Sequence, residues 1–312
     1  CSSDLWYPHK LERGGNFPGK GDISLFDFMI DTNTIGRIID SSAITGDKFE
    51  ITVKDSTKVS SDKYNANNLI CSWDSNNNVV IKTDALYNDW NQNLFYTAMK
   101  VVALNEDGSV NEDLTKTIET PIFTNGVGKY SIPSSINKVG LVIGYANREE
   151  GVNKAITRAN DAINNNIVNG YNNTKKYWND TLKKAPVPTI WGVEDKNIKD
   201  YETVTPEKHR ILYYSGWVYN LINILPTTPE TGYAFTQQAL GKASRQVGGA
   251  SMTPANNCWE GVLQIQNIMY LDPSASWSAM EGFMAMVDAN GYLDGEVLPV
   301  RMAQTLWMVH SV

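Results

Sequence analysis

Cysteine and histidine are both scarce in this sequence of 312 residues, which contains 3 of each. The cysteines are odd in number and far apart, a spacing that matches neither a disulfide framework nor a zinc site: they are Cys1, Cys71 and Cys258. None of the histidines has a partner at the spacing of metal ligands: they are His9, His209 and His310. We therefore expect no metal and no cofactor.

Other signals are missing as well, and each absence excludes a class of protein. No apolar run approaches the roughly 18 to 20 residues of a membrane-spanning helix, so no transmembrane segment is expected. The formal net charge is -7, and no basic stripe with interleaved aromatic residues occurs, so no nucleic-acid partner is expected. The sequence also lacks a glycine-rich phosphate-binding loop and a Gly-x-Ser-x-Gly nucleophile motif.

Aromatic residues are plentiful by contrast, with 9 Trp and 15 Tyr. Such residues bind flat apolar faces, including those of sugar rings, but they are equally suited to a large core. The composition, 42% hydrophobic and 20% charged, is that of a globular protein. The length is sufficient for two domains.

Residues 1–145 are predicted to form an antiparallel β-sandwich domain. Runs of β-branched and aromatic residues alternate with turn clusters rich in Asn, Asp and Gly, which is the pattern of repeated short strands. The runs are Ile23–Ile30, Phe49–Val53, Val79–Lys82, Leu94–Leu104 and Lys138–Tyr145.

Residues 146–204 are predicted to form a helical linker. Apolar residues recur there at helical spacing: Ala155, Ile156, Ala159, Ala162 and Ile163. A second helical stretch carries Tyr177, Trp178 and Leu182 and ends before Pro186, because proline cannot continue the helical hydrogen bonds.

Residues 205–312 are predicted to be helical, beginning with Thr205 as N-cap and Pro206 in the first helical position. Two further helices are predicted at Tyr233–Arg245 and, after an Asn257 cap, at Cys258–Leu271. Another begins after a Ser274 cap and has one apolar face, formed by Trp277, Met280, Phe283, Met284 and Val287. The last begins at about Val300, with Ala303, Leu306, Trp307 and His310 on one stripe. The last helix has no C-cap, helix breaker or polar tail, so we expect the helical domain to continue beyond Val312.

The helix predicted at Cys258–Leu271 is apolar almost all round, which predicts that it is buried. Glu260 lies in its first turn beside Trp259, where the helix N-terminus favours a carboxylate. The pair is suited to holding a sugar, with the indole stacking on the ring and the carboxylate accepting hydrogen bonds from hydroxyls. The alternative is a Glu that only stabilises the helix.

Sugar hydrolysis usually requires two carboxyl groups, an acid and a base or nucleophile, about 5 to 10 Å apart. No such pair stands out in the helical half. Asp272 is expected in a turn, Glu281 and Asp288 on a solvated helix face, and Asp294 and Glu296 in a turn around Gly295.

Five segments carry a resemblance to a known family: Trp178–Leu182 (WNDTL), Arg210–Asn220 (RILYYSGWVYN), Asn257–Glu260 (NCWE), Asp288–Pro299 (DANGYLDGEVLP) and Arg301–Gln304 (RMAQ). With this order of segments, the chain resembles the six-hairpin, α-toroid glycoside hydrolases. It is most similar to the bacterial relatives of mannosyl-oligosaccharide glucosidase (glycoside hydrolase family sixty-three), with trehalases and glucoamylases as cousins.

The resemblance implies a fold and an activity. The fold is an antiparallel β-supersandwich in residues 1–145, a helical linker in 146–204, and the first part of an (α/α)6 toroid in 205–312. The activity is that of the N-terminal part of an exo-acting, inverting α-glycosidase that hydrolyses α-gluco-oligosaccharides. The substrate-binding residues implied are Trp217, Trp259, Glu260, Arg301 and Gln304.

By the same resemblance, the catalytic acid and base lie beyond Val312, so this chain alone is expected to be inactive. Two departures affect the sugar contacts. The family has Trp-Asp where this chain has Trp259-Glu260, and its Arg and Gln are two residues apart, whereas Arg301 and Gln304 are three apart.

The first four residues, Cys-Ser-Ser-Asp, resemble the mature start of a bacterial lipoprotein, whose first Cys is lipidated. Cys1 is therefore a candidate lipid anchor, and the protein is expected outside the cytoplasm; the alternative is that the sequence simply begins at this point. An alternative function follows, which is a surface lipoprotein that binds glycans without cleaving them, with the β-sandwich as the working part.

Overall fold

The structure is a computed structural model. It describes residues 5–46, 49–54, 70–87, 92–124, 127–147, 149–186, 206–227, 233–238, 258–292 and 301–311. The chain divides into two compact units, Cys1–Trp178 and Asn179–Val312. We call them the sheet unit and the helical unit.

The sheet unit is built on one antiparallel sheet of eight strands. The strands are β1 (Leu5–Tyr7), β2 (Lys10–Phe17), β3 (Gly21–Asp31), β4 (Thr34–Asp40), β6 (Ile70–Asp74), β7 (Val79–Tyr87), β8 (Gln92–Leu104) and β10 (Lys138–Asn147). Their order across the sheet is β1-β2-β3-β4-β10-β8-β7-β6. The two central strands, β10 and β8, are among the longest and carry the most buried apolar side chains, because side chains on both of their faces are covered.

Helices α2 (Gly151–Asn164) and α3 (Ile167–Leu182) cover one face of this sheet. The five apolar residues predicted for the first helix are all buried in α2 and form one core with Val102 and Val142 of the sheet. Gly144 of β10 allows this close approach, since a Cβ atom there would lie 2.4 Å from the carbonyl oxygen of Ala155. The short helix α1 (Glu112–Thr115) follows β8.

An ion pair secures the start of α2. The Arg158 guanidinium donates to both carboxylate oxygens of Glu150, at 2.9 and 2.8 Å, and to the carbonyl oxygen of Tyr145 at 2.6 Å. These hydrogen bonds hold the pKa of Glu150 below its usual range. The pair links the end of β10 to the helix that follows it.

The opposite face of the sheet packs against a separate pair of strands, β5 (Phe49–Lys54) and β9 (Val127–Ile132). Tyr130 and Ile132 of β9 are buried with Val139 and Leu141 of β10. Residues of β10 therefore alternate between two cores, as the two-residue period of a strand requires. The sheet unit thus has helices on one side of the main sheet and two strands on the other.

The helical unit contains α4 (Pro206–Ile222), α5 (Cys258–Ile268), α6 (Pro273–Ala285) and α7 (Met302–His310), with the short strands β11 (Ile224–Leu225) and β12 (Gln237–Gln238). Helices α5, α6 and α7 each contact the other two around one apolar cluster, which contains Val262, Ile265, Met280, Phe283 and Val309.

Buried hydroxyl groups also link these three helices. The Thr305 hydroxyl of α7 accepts a hydrogen bond from the side chain of Gln266 at 2.7 Å and donates to the carbonyl oxygen of Val262. The Ser276 hydroxyl of α6 donates to the carbonyl oxygen of Ile265. Because buried polar groups require partners, these bonds fix the rotation of each helix.

The predicted fold, a β-supersandwich followed by the first part of an (α/α)6 toroid, is wrong. A toroid arranges successive helical hairpins in a ring, whereas α5, α6 and α7 close on one another around a single cluster. The large antiparallel sheet is compatible with a sandwich, but α2 and α3 cover one of its faces. The segment predicted as a separate linker begins within the sheet unit, because its apolar stripe is part of that unit's core.

Most individual elements agree with the sequence patterns. All five predicted strand runs lie within strands, and α4 begins at Pro206. The N-cap of α6 is Asp272, whose carboxylate accepts from the Ala275 N–H, and not the predicted Ser274. The helix predicted at Tyr233–Arg245 is wrong over its described part, since residues 233–236 are not helical and Gln237–Gln238 form the short strand β12. Residues 239–245, like the Thr205 and Asn257 caps, lie outside the described residues. In the described part of the chain, no helix combines the length and the apolar character needed to cross a membrane.

Candidate functional site

The strongest candidate site is an exposed surface of the helical unit, formed by Trp277 and Glu281 of α6 and by Gln304, Trp307 and His310 of α7. We call these five residues the α6–α7 surface. Trp277 and Trp307 are both exposed, which is unusual because Trp is largely buried on average. Exposed apolar groups set among polar ones often mark a binding surface.

The rotation of α6 about its axis turns Trp277 and Glu281 toward solvent. Helix α6 buries Ser276, Ala279, Met280 and Phe283. With 3.6 residues per turn, Trp277 and Glu281 lie one turn apart on another side of the helix. The Trp277 side chain is 40% exposed, so part of its ring is available to a ligand.

A hydrogen bond fixes the orientation of this indole. The Nε1–H group of Trp277 donates to Oε1 of Glu281 at 2.9 Å. The His310 ring of the neighbouring helix α7 lies beside the Trp277 ring. The two ring centroids are 6.4 Å apart, and the ring planes are tilted by 46°. The hydrogen bond to a carboxylate is charge-assisted, which strengthens it and restricts the ring to one orientation.

Helix α7 contributes the second indole. Thr305 and Val309 are its buried residues, and Trp307 lies almost diametrically opposite them around the helix. Trp307 is consequently 70% exposed. Around the helix it lies between Gln304 and His310, both of which are exposed. An amide and an imidazole thus flank this ring.

The α6–α7 surface combines two kinds of group that a carbohydrate requires. Indole rings stack on the apolar C–H face of a sugar, and they lose little conformational freedom in doing so. The Glu281 carboxylate, the Gln304 amide and the His310 imidazole form hydrogen bonds with hydroxyl groups as acceptors, donors or both. Nothing in this set requires a metal.

Two of the residues predicted to bind substrate lie at or next to this surface. Gln304 belongs to it, and Arg301 lies at the N-cap of α7, where its side chain is exposed and does not cap the helix. The sequence pattern placed Ala303, Leu306, Trp307 and His310 on one stripe of this helix, whereas the buried positions in the structure are Thr305 and Val309.

The predicted Trp217 lies elsewhere in the helical unit, in a half-buried aromatic group. Its ring is 6.0 Å from Tyr213 and 6.2 Å from Tyr270, with an edge-on geometry in both cases. The Tyr213 hydroxyl donates to the carbonyl oxygen of Pro186. These contacts link α4 to the segment that follows α5, which is a packing role.

Trp259 and Glu260 are in the first turn of α5, as predicted, but their side chains lie outside the described residues. The same holds for Cys1, Asp294 and Glu296. No described contact therefore joins Glu260 to the α6–α7 surface.

The described carboxyl groups of the helical unit have structural partners. Asp272 caps α6. Asp288 was expected on the same helix face as Glu281, but α6 ends at Ala285 and Asp288 lies in the following turn. Its carboxylate accepts from the backbone N–H groups of Tyr292 and Asn290, which lower the pKa of Asp288. A general acid needs the opposite shift.

The Asp272 cap marks the start of α6 in the sequence. No local signal identifies Trp277 and Trp307 as exposed, because the rotation of each helix depends on its neighbours. Within the described ranges, no group of three or more His, Cys, Asp or Glu side chains is arranged to hold a metal ion.

Comparison of the sequence with protein-family models gave no matching family. Comparison with curated proteins gave no match.

Proposed function

We propose that this protein binds carbohydrate through the α6–α7 surface. The observation that carries the proposal is the Trp277 indole, which is partly exposed and is held in a fixed orientation by Glu281 beside the His310 ring. A rigid aromatic face with hydrogen-bonding groups at its edge is complementary to a pyranose, which has an apolar face and a rim of hydroxyl groups.

This proposed site lies in a different part of the chain from the one expected for a glycan-binding lipoprotein. In that alternative, the β-sandwich was expected to bind the glycan. The exposed indoles lie in the helical unit, and the aromatic side chains Phe26 and Phe28 of the sheet unit pack against Tyr171 of α3. These two sheet aromatics are therefore engaged in the core, whereas Trp277 and Trp307 face outward.

Replacing Trp277 with alanine is expected to weaken the binding of short α-glucosides by about tenfold or more, because a central aromatic contact carries a large share of a small interface's binding free energy. Titration calorimetry and the quenching of Trp fluorescence with maltose, kojibiose and nigerose measure this effect. Glu281→Gln retains an acceptor for the indole N–H and is expected to weaken binding less.

Tyr177→Ala is the matched control, because Tyr177 is 59% exposed but belongs to the sheet unit. It should bind as tightly as the unaltered chain. Equal affinities for the unaltered chain, Trp277→Ala and Trp307→Ala would refute the α6–α7 surface as the sugar site, provided that circular dichroism shows the variants to be folded.

The second candidate function is hydrolysis of α-gluco-oligosaccharides by an exo-acting, inverting glycosidase. One observation favours it, which is that α5 begins at Cys258 and so carries Trp259 and Glu260 in its first turn, as the family resemblance requires. The rest of this helix is largely buried: Val262, Ile265 and Ile268 are each at most 2% exposed.

Residues 1–312 by themselves are expected to release no glucose from maltose, kojibiose, nigerose or an aryl α-glucoside. The described carboxyl groups of the helical unit cap a helix, orient an indole, close a turn or pair with a lysine, and none is paired with a second carboxyl group. A coupled glucose assay measures the release.

Turnover that disappears in Glu260→Gln, with an unchanged circular dichroism spectrum, would contradict this expectation. It would make Glu260 a catalytic acid and hydrolysis the leading function. Proton NMR of the first product would then report whether the anomer is inverted. A lipid anchor on Cys1 belongs to either proposal, and mass spectrometry of the protein from its native membrane fraction tests for the modification.

A further inference from the structure

The sheet unit contains a polar cleft of about 480 Å³ that is separate from the α6–α7 surface. It lies where the hairpin of β2 and β3 meets the segment that follows β4. Its lining consists of Gly14, Gly15, Asn16, Asp22, Ile23, Ser24, Asp40, Ser42 and Ala43. The volume falls within the range typical of small-molecule sites.

The strand register gives the cleft an open floor. Ser24 of β3 is directly opposite Gly14 on one side and Asp40 on the other, and Asp22 is opposite Asn16. Gly14 leaves the floor flat, because a Cβ atom there would meet nothing closer than the carbonyl oxygen of Ile23, 3.9 Å away.

The cleft continues a covered face of the sheet. Side chains two residues apart along a strand point to the same side, so Asp22 and Ser24 continue the row of Phe26 and Phe28. These two rings pack against Tyr171 of α3. The polar end of the row lies beyond this aromatic packing.

The wall of the cleft is held in place by main-chain contacts. The N–H group of Thr45 donates to the carbonyl oxygen of Lys20 at 2.7 Å. Gly21, with a φ of +119°, allows the carbonyl of Ala43 to approach so closely that a Cβ atom would lie 2.0 Å from its oxygen. The cleft is therefore formed before any ligand binds, which reduces the ordering entropy of binding.

Hydrogen bonds within the cleft position its two carboxylates. Oδ1 of Asp40 accepts from the backbone N–H and the hydroxyl group of Ser42, at 2.9 and 2.6 Å. Oδ1 of Asp22 accepts from the amide of Asn16 at 2.6 Å. Each carboxylate thus uses Oδ1 within the protein, and its Oδ2 is not engaged by these bonds. Burial opposes ionisation of Asp40, but the bonds from Ser42 and the positive charge of Lys138, which is opposite Asp40 in the sheet, together lower its pKa.

We propose that this cleft binds the end of a neutral sugar, whose adjacent hydroxyl groups donate to Asp22 and Asp40. Its lining combines acceptors with groups that both donate and accept, the amide of Asn16 and the hydroxyls of Ser24 and Ser42, and sugar hydroxyls have the same dual character. An anion would be repelled by the carboxylates. The proposal concerns a second site and stands whether or not the α6–α7 surface binds sugar.

The cleft is tested by titrating the Trp277→Ala chain with methyl α-glucoside, methyl α-mannoside and methyl β-galactoside. This substitution removes the proposed sugar contact of the α6–α7 surface, so the remaining binding reports on the cleft. Asp22→Ala in this background is expected to weaken binding by about tenfold, since it removes a charge-assisted hydrogen bond. Gly14→Leu, which fills the cleft and leaves both carboxylates in place, is expected to have a similar effect.

Asp31→Ala is the matched control for Asp22→Ala. Both residues lie near ends of β3 and are exposed, and the Asp31 carboxylate likewise accepts from an asparagine, the backbone N–H group of Asn33. The control should bind as the background does. Sugar binding that neither Asp22→Ala nor Gly14→Leu changes would overturn the proposal, as would the absence of binding by all three sugars.

Calcium chloride and putrescine are titrated as cationic probes on the same chain. Binding of either of them, lost in Asp22→Ala, in place of sugar binding would assign the cleft to cations and overturn the proposal. These outcomes are independent of the proposed function, which is judged by whether Trp277→Ala weakens binding relative to the unaltered chain.

Discussion

Phe283→Ala is expected to lower the free energy of unfolding of the helical unit by about 4 kcal/mol, because truncating a fully buried Phe removes apolar burial and leaves a cavity. Phe283 is 1% exposed and lies in the cluster shared by α5, α6 and α7. This cluster is small, so the surrounding side chains are poorly able to fill the space. Urea denaturation followed by far-UV circular dichroism measures the change.

Met284→Ala is the control at the neighbouring position. Its side chain is 48% exposed, so the substitution is expected to change the free energy of unfolding by at most about 0.5 kcal/mol. Similar losses for both variants would contradict the described rotation of α6. A loss below about 1 kcal/mol for Phe283→Ala would show that this ring does not fill the centre of the cluster.

Gly144→Ala is expected to destabilise the sheet unit by about 3 kcal/mol, because the added methyl group overlaps the backbone of α2. The new Cβ atom would lie 2.4 Å from the carbonyl oxygen of Ala155 and 2.9 Å from the nitrogen of Ala159. Backbone atoms of a packed helix cannot move aside singly, so α2 as a whole must shift away from β10. Thermal and urea unfolding of the chain measure the loss.

Gly15→Ala provides the comparison within the same sheet. Its Cβ atom would approach the Ile23 side chain at 3.5 Å, an ordinary contact. It should be neutral or stabilise the protein by up to about 1 kcal/mol, because alanine restricts the unfolded chain more than glycine does. If Gly144→Ala is equally well tolerated, α2 does not pack on β10 as closely as described.

The candidate site could be predicted only in part. Gln304 was identified from the resemblance, and the abundance of aromatic residues suggested stacking on sugars. Trp277 and Trp307 were instead assigned to apolar helix faces, because a hydrophobic residue within a helical pattern usually belongs to the packing face. The exposure of Trp307 depends on Thr305, whose buried hydroxyl bonds to Gln266 and to the carbonyl oxygen of Val262, so that the opposite side of α7 faces solvent.

The polar cleft left even less trace in the sequence. Asp22 and Asp40 are 18 positions apart in the chain (40 minus 22), and neither belongs to a recognisable motif. Both line one cleft because β3 and β4 pair with Ser24 opposite Asp40. Strand pairing is a long-range property that local patterns do not specify, since it depends on register and on which faces are covered.

The sequence by itself determined the strands from β-branched and aromatic runs, the start of α4 from Pro206, and the inner face of α2 from apolar residues at helical spacing. These features depend on residues close together in the chain, where propensity, period and capping act directly. The tertiary structure alone decided that α2 and α3 cover the sheet, that α5, α6 and α7 close around one cluster, and that two indoles face outward. Each of these outcomes depends on which apolar faces meet, and many arrangements of the same amphipathic helices bury similar areas, so only the packing of the whole unit selects one of them.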